Sequence, residues 1–150
     1  YRRREPAVVT PTLSDRGIQR FDEWGTGVFV ACTVPAVLLE GPVRAFAAVV
    51  AGGLFLIGCV VFLWAFSRAL DRSRREVIGI GGLYFLAGCA PSSVRRRLLT
   101  LLAAQVVVAT VAAAIRPFTS LAVGVLVPMF GLGLCGLWGA LHGEFPARGG

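Results

Sequence analysis

The most prominent pattern in this sequence is the alternation of long apolar stretches with short polar connections. The uncharged stretches cover residues 24–39, 45–67, 98–115 and 117–143. A helix needs about 20 mainly apolar residues to cross the hydrocarbon core of a bilayer. Two of the stretches reach that length outright and the third nearly does. The pattern therefore predicts an all-α integral membrane protein with four transmembrane helices.

The connections define the limits of these helices. The first helix reaches spanning length if Phe21, Asp22 and Glu23 lie in the headgroup layer. Gly41-Pro42 and Arg116-Pro117 are typical of tight turns, because proline cannot continue the preceding helix. Two helical hairpins result. The predicted spans are about 21–40, 43–67, 97–115 and 118–141.

The central loop contains a further apolar segment, residues 77–91. As a helix it would be only about 22 Å long, and four glycines weaken it. Segments of this length are more often interfacial, re-entrant or buried than spanning. We expect an interfacial or re-entrant segment; the alternative is a fifth crossing, which would place Arg95–Arg97 on the opposite side.

The remaining residues are too few for a second domain. The sequence predicts a flexible cytoplasmic leader in residues 1–17, a transmembrane domain in residues 18–143 and a short cytoplasmic tail in residues 144–150.

The arginines are distributed very unevenly between the two sets of connections. Only Arg44 and Arg116 fall in the turns, and the other thirteen lie in the leader, the central loop and the tail. Because basic residues concentrate on the cytoplasmic side, both termini are predicted to be cytoplasmic. The protein carries a formal charge of +7, but these arginines flank apolar spans, so we expect membrane contact and no nucleic acid. The predicted contacts with anionic lipid or a partner protein are Arg72, Arg74, Arg75, Arg95, Arg96 and Arg97.

Small residues recur at four-residue spacing in three of the stretches. This spacing lets helix backbones approach closely in lipid. It can serve packing within the bundle or docking on a partner. The residues predicted to do this are Gly131, Cys135, Gly139, Ala47, Ala51, Ala109 and Ala113.

Candidate chemistry is sparse. His142 is the single histidine, and the four cysteines share no short spacing, so we expect no enzyme active site, no metal site and no cofactor. Asp22 and Glu23 are interpreted as interfacial, which leaves no acidic residue firmly inside a span and argues against a proton-coupled pump. For transport, the two candidates are Glu40 and the mid-span amide Gln105, which we expect to form an interhelical hydrogen bond.

Two segments, APSSVRRRLL at residues 90–99 and RPFTSLAVGVLVPMFGLGLCGLWGALHGEFPAR at residues 116–148, resemble small uncharacterised membrane proteins of actinobacteria. The resemblance covers roughly residues 46–148. It implies a bacterial plasma membrane location and no particular activity or site residue.

The expected function is that of a non-enzymatic accessory or scaffold protein, which packs on a larger membrane partner and presents an arginine-rich cytoplasmic face. The alternative is a small transporter or channel that acts as a homodimer.

Overall fold

The structure, a computed structural model, describes residues 13–149. The elements in chain order are α1 (Asp15–Leu38), α2 (Pro42–Ser73), α3 (Ile80–Phe85), α4 (Ser92–Ile115), a 3-10 helix (Ser120–Leu126) and α5 (Pro128–His142). Within residues 13–149 the β structure is limited to an isolated bridge between Glu76 and Ala147. The predicted all-α class is confirmed. The predicted leader lies mostly outside the described residues.

Local sequence signals explain the ends of the first two helices. Ser14 caps α1, and its hydroxyl oxygen accepts the Gly17 N–H at 3.1 Å. The helix therefore begins at Asp15, three residues before the predicted limit of the transmembrane domain. Gly41 has a φ of +86°, which favours glycine, and Pro42 then opens α2.

Three segments are long and apolar enough to cross a membrane: Pro42–Ser73, Ser92–Ile115 and Ser120–His142. Their length and composition are those of membrane-spanning helices and are compatible with a membrane protein. α1 is not among them, because its first half carries Asp15, Arg16, Arg20, Asp22 and Glu23.

The last apolar stretch is divided into two helices. Pro128 lacks an N–H and cannot bond to the carbonyl of Gly124 four residues earlier. Instead the Val127 N–H donates to the Gly124 carbonyl at 3.0 Å, which is the spacing of a 3-10 helix. The predicted single helix over 118–141 is therefore a 3-10 helix followed by α5.

The central segment 77–91 starts and finishes at the same end of the bundle. The Val77 N–H donates to the Pro146 carbonyl at 2.9 Å, and the Cys89 carbonyl accepts the Glu144 N–H at 3.0 Å. α3, between them, has only six residues and buries Leu83 and Tyr84 against α5. We call this end, formed by residues 68–97 and 143–149, the loop end.

The opposite end holds the two tight turns and is called the turn end, residues 39–44 and 116–120. Arg116 Nε donates to the Val37 carbonyl at 3.2 Å, and the Ser120 hydroxyl contacts the Arg44 carbonyl at 3.4 Å. These contacts join the turn after α1 to the turn after α4.

α2 and α5 form the closest helix pair, through a small-residue seam. The buried residues of α2 are all alanine or glycine. A Cβ on Gly58 would lie 2.5 Å from the backbone nitrogen of Phe130, and a Cβ on Gly133 would lie 2.7 Å from the Gly58 carbonyl oxygen. Since even a methyl group does not fit, the two backbones are in direct contact. We define the small-residue seam as Gly58, Ala65 and Ala69 of α2 with Gly133 and Gly136 of α5. Ala47 and Ala51 of α2 pack instead against α1, α4 and the 3-10 helix.

Candidate functional site

A polar cluster lies in the interior, between α1, α4 and α5. It consists of Asp22 and Thr26 of α1, Gln105 of α4 and Gly131 of α5. The side chains of Asp22 and Gln105 have no exposed surface, and Thr26 is also buried. The cluster therefore lies in a dry environment, where each hydrogen bond has a large effect.

Gln105 is the centre of the cluster. Its Nε2 donates to Thr26 Oγ1 at 2.7 Å and to Asp22 Oδ1 at 3.2 Å. Its Oε1 accepts the backbone N–H of Gly131 at 3.2 Å. A Cβ on Gly131 would lie 2.6 Å from that oxygen. The glycine therefore provides the space that the amide occupies, and the expected interhelical hydrogen bond of Gln105 is present.

Asp22, which the sequence predicted to lie at the membrane interface, is fully buried inside the bundle. Asp22 lies on the buried face of α1, one turn before Thr26, whereas its neighbour Glu23 points to Arg97 on α4. Two adjacent acidic residues on a helix lie about 100° apart. Only one of them can face outward here, and the sequence pair alone does not show which one.

The second carboxylate oxygen of Asp22, Oδ2, is buried without a hydrogen-bond partner. Phe130 closes the neighbouring space: its ring lies where a Cβ on Gly25 would be, at 2.2 Å, and it also packs on Phe21. A buried acidic group with an unsatisfied oxygen costs free energy unless it is neutral or functional.

A second polar contact connects α1 and α5 closer to the loop end. The Trp138 indole N–H donates to Asp15 Oδ1, and Gln19 Nε2 donates to the same oxygen at 2.7 Å. The hydrogen bond from Trp138 is the main reason that the pKa of Asp15 lies below its ordinary value.

Arg72 is bound within the protein. Its guanidinium donates to the carbonyls of Ala140 and Gly143, each at 2.8 Å, and to Glu76 Oε2 at 2.7 Å. The Phe145 ring lies 5.3 Å below the guanidinium carbon. Because the last carbonyls of α5 lack helical partners, Arg72 acts as the cap of that helix.

The other arginines of the predicted contact set have exposed side chains. Arg97 is partly engaged, because it contacts Glu23 and its Nη1 lies 3.3 Å from Gln19 Oε1. The remaining exposed residues of that set are Arg74, Arg75, Arg95 and Arg96.

Glu40 lies in the turn after α1 and is exposed. Its Oε1 lies 3.4 Å from Arg44 and 3.7 Å from Arg116. The two arginines of the turn end thus share one carboxylate. Glu40 and Gln105, the two transport candidates, lie at different levels of the bundle and are not brought together.

The predicted packing residues face the interior. Gly139 lies against the backbone of α3, because a Cβ there would be 2.5 Å from the Leu83 carbonyl oxygen. Ala113 is half-buried, while its neighbour Ala112 is buried. The buried members are Gly131, Cys135, Gly139, Ala47, Ala51 and Ala109.

The sequence interpretation missed the closest contacts of the bundle, at Gly58 and Gly133. Gly58 continues the helical spacing of Ala51 and Ala65, which is the signal that identifies it. Asp22 and Thr26 were also missed, although an i, i+4 polar pair ahead of an apolar run is visible in the sequence.

Among the described residues, no group of three or more histidine, cysteine, aspartate or glutamate side chains is placed to hold a metal ion. Cys89 is buried, and its thiol donates to the Gly82 carbonyl at 2.9 Å. The arrangement therefore consists of one buried acid, its amide and hydroxyl partners, and an arginine-rich end.

No protein-family model, no curated protein and no solved structure matches this chain.

Proposed function

We propose that the chain crosses the bacterial plasma membrane four times, with α1 as the additional span. The support is the distribution of residues around α1. Its outward face carries Trp24, Val28 and Leu38, with Trp24 and Leu38 each 74% exposed, while its inward face carries Gln19 and Asp22. A helix with apolar residues outside and polar residues inside is stable in lipid and not in water.

In this orientation the loop end is cytoplasmic, since it holds most of the arginines. The helices form two hairpins, whose turns meet at the turn end. The segment 77–91 lies in the membrane interface, because its large apolar residues Val77, Ile80 and Phe85 are exposed.

Reporter fusions test this topology. A reporter after Gly150 or in the loop before Glu76 is expected to be cytoplasmic, and one inserted at Gly41 is expected to be external. An external signal from a reporter next to Arg96 would contradict the orientation.

Within this membrane topology, the function that we propose is that of a non-enzymatic accessory or scaffold protein. The observation that carries it is an unfilled surface on α1. Gly27 has open space beyond its Cα, and Ala31 follows one turn later, next to the exposed ring of Trp24. Glu23, Trp24, Gly27, Val28 and Ala31, all on α1, line an open surface depression of about 400 Å³. We call this surface the α1 groove.

The proposed occupant of the α1 groove is a transmembrane helix of a larger partner protein. Small residues four apart allow such a helix to approach closely. The small residues predicted from the sequence pack inside the bundle, so they are not available to contact this partner.

The arginine-rich face complements this attachment. Arg74, Arg75, Arg95 and Arg96 have exposed side chains at the loop end. Each arginine near an anionic membrane surface contributes about 1 kcal/mol. We propose that these residues hold anionic lipid around the attached protein.

Affinity purification from the native membrane in mild detergent tests the scaffold function. The wild type is expected to retain a stoichiometric larger protein, and Gly27→Leu is expected to lose it. Gly53→Leu on α2 is the matched control, because Gly53 also has open space beyond its Cα. Equal retention by both variants, or a wild type that purifies alone, would contradict the proposal.

A second candidate, a small dimeric transporter, is favoured by Asp22. Buried ionisable residues inside membrane bundles are functional sites by default. Asp22 and Gln105 would then serve transport in place of Glu40, which is exposed and lies beside Arg44 and Arg116. A pure homodimer in the same purification favours this candidate over the scaffold.

A further inference from the structure

The carboxyl group of Asp22 is surrounded by uncharged groups. Oδ1 accepts a single hydrogen bond from Gln105, at 3.2 Å, and Oδ2 is buried without a partner. An ionised carboxylate has about four sites for hydrogen-bond donors. Burying it with most of these sites empty is unfavourable, so this environment favours the neutral form.

The charged and titratable neighbours do not compensate a negative charge. On α1, Glu23 adds a second negative charge close by. On α5, the nearest titratable group is the buried thiol of Cys135. On α4, Arg97 is bound to Glu23 and Gln19. Within the described residues, no cationic group contacts the Asp22 carboxyl.

The geometry also disfavours a metal cation as the neutralising group. The Gly131 N–H fixes Oε1 of Gln105 on the side of α5, so its Nε2 hydrogens face Asp22 and Thr26. A cation at this position would require oxygen ligands, whereas Gln105 presents hydrogen atoms there.

We propose that Asp22 is a proton-binding site: the bundle folds around its protonated carboxyl, and release of that proton weakens the contact between α1, α4 and α5. The inference rests on the four-span bundle proposed above, and it holds whether the protein is a scaffold or a transporter.

The sign of the resulting pH dependence follows from proton counting. The unfolded chain releases the proton of an aspartate above about pH 4, while the folded bundle retains it. Raising the pH therefore favours the unfolded state, by up to about tenfold in the unfolding equilibrium constant per pH unit. The loss of stability ends once the folded protein also releases the proton.

Unfolding of the purified full chain in neutral detergent, measured from mildly acidic to mildly alkaline pH, tests this inference. The wild type is expected to lose stability as the pH rises, and Asp22→Asn, a neutral residue of the same shape, is expected to remove that loss. Glu23→Gln is the matched control and should retain the wild-type dependence. The same pH dependence in the wild type and in Asp22→Asn would overturn the proposal.

Infrared spectroscopy provides a second measurement, which needs no unfolding. The wild type at neutral pH should show a carboxylic acid C=O band that Asp22→Asn lacks. Absence of that band from the wild type would overturn the proposal. A stabilisation of the wild type by sodium or potassium ions at constant pH, absent from Asp22→Asn, would also overturn it. Either failure leaves the α1 groove and its partner untouched, because the purification of Gly27→Leu tests them separately.

Discussion

The small-residue seam and the polar cluster both join α5 to the rest of the bundle, but by opposite means. In the seam, Gly58 of α2 meets the backbone of α5 so closely that a single methyl group has no room. In the cluster, Gly131 provides room for the amide of Gln105, which then bonds to Thr26 and Asp22. Glycine allows backbone contact in the first case and a buried polar side chain in the second.

The seam and the cluster are therefore expected to tolerate larger side chains to different degrees. The obstacle at Gly58 is backbone, which cannot move without displacing a helix. The obstacle at Gly131 is the end of a flexible side chain, which can rotate away at the cost of its hydrogen bonds. The seam therefore fixes the position of α5, and the cluster sets the chemical state of the interior.

The largest effect is expected in the seam. Gly58→Leu should separate α2 from α5 and lower the free energy of unfolding by about 3 kcal/mol or more, because overpacking against backbone cannot relax. Thermal unfolding in detergent measures it. Gly53→Leu, on the open face of the same helix, is the control. Equal stability of the two variants would show that the backbones are not in contact.

A smaller effect is expected at the loop end. Arg72→Gln should remove the cap of α5 and cost about 1.5–3 kcal/mol, since hydrogen bonds from a charged group are lost. Arg74→Gln, whose side chain is exposed, should change stability little. Limited proteolysis should show faster cleavage in residues 143–149 for Arg72→Gln alone; identical cleavage would contradict the capping role.

In the polar cluster, Gly131→Ala is expected to cost about 1–2 kcal/mol, because the added methyl displaces the Gln105 amide. Gln105→Ala should cost about as much. The double variant should be less destabilised than the sum of the two, since both changes disrupt the same hydrogen bonds. Additive effects in a double-mutant cycle would show that Gly131 and Gln105 act independently.

The smallest effect concerns Asp15, outside both regions. The hydrogen bond from Trp138 keeps the pKa of Asp15 below its ordinary value. This contribution to stability is complete above the unfolded value, about 4, and is lost as the pH falls through the lowered value. The wild type should therefore destabilise in acid more than Asp15→Asn does. An equal response of both would mean that the contact with Trp138 does not depend on charge.

The sequence predicted the helices well, because apolar length and turn residues such as Gly41-Pro42 are local signals. Two features were harder to predict from the sequence: the break in the helix before Pro128 and the path of residues 77–91. The first depends on a carbonyl four residues earlier, and the second depends on backbone pairing with residues 144–148, which are distant in sequence.

The polar cluster could not be derived from the sequence in the same way. Its members come from three helices, and nothing local shows that Gln105 and Gly131 face Asp22. The small-residue spacing marked buried residues of α5, but this helix is buried on nearly all sides. The spacing also did not show that Gly131 makes room for a side chain while Gly133 makes room for a backbone.

The central claim is that α1 crosses the membrane with its polar face inward and its apolar face in lipid. The most direct measurement is the accessibility of nitroxide labels attached to Val28→Cys and Ala31→Cys, with the partly exposed Cys32 and Cys59 replaced by alanine. The purified chain is reconstituted alone in lipid bilayers, so that no partner helix covers the α1 groove. Both labels are predicted to be accessible to dissolved oxygen and protected from a water-soluble relaxing agent, whereas a label at Glu40→Cys should be accessible to that agent. Access of the water-soluble agent to residues 28 and 31 would contradict the account.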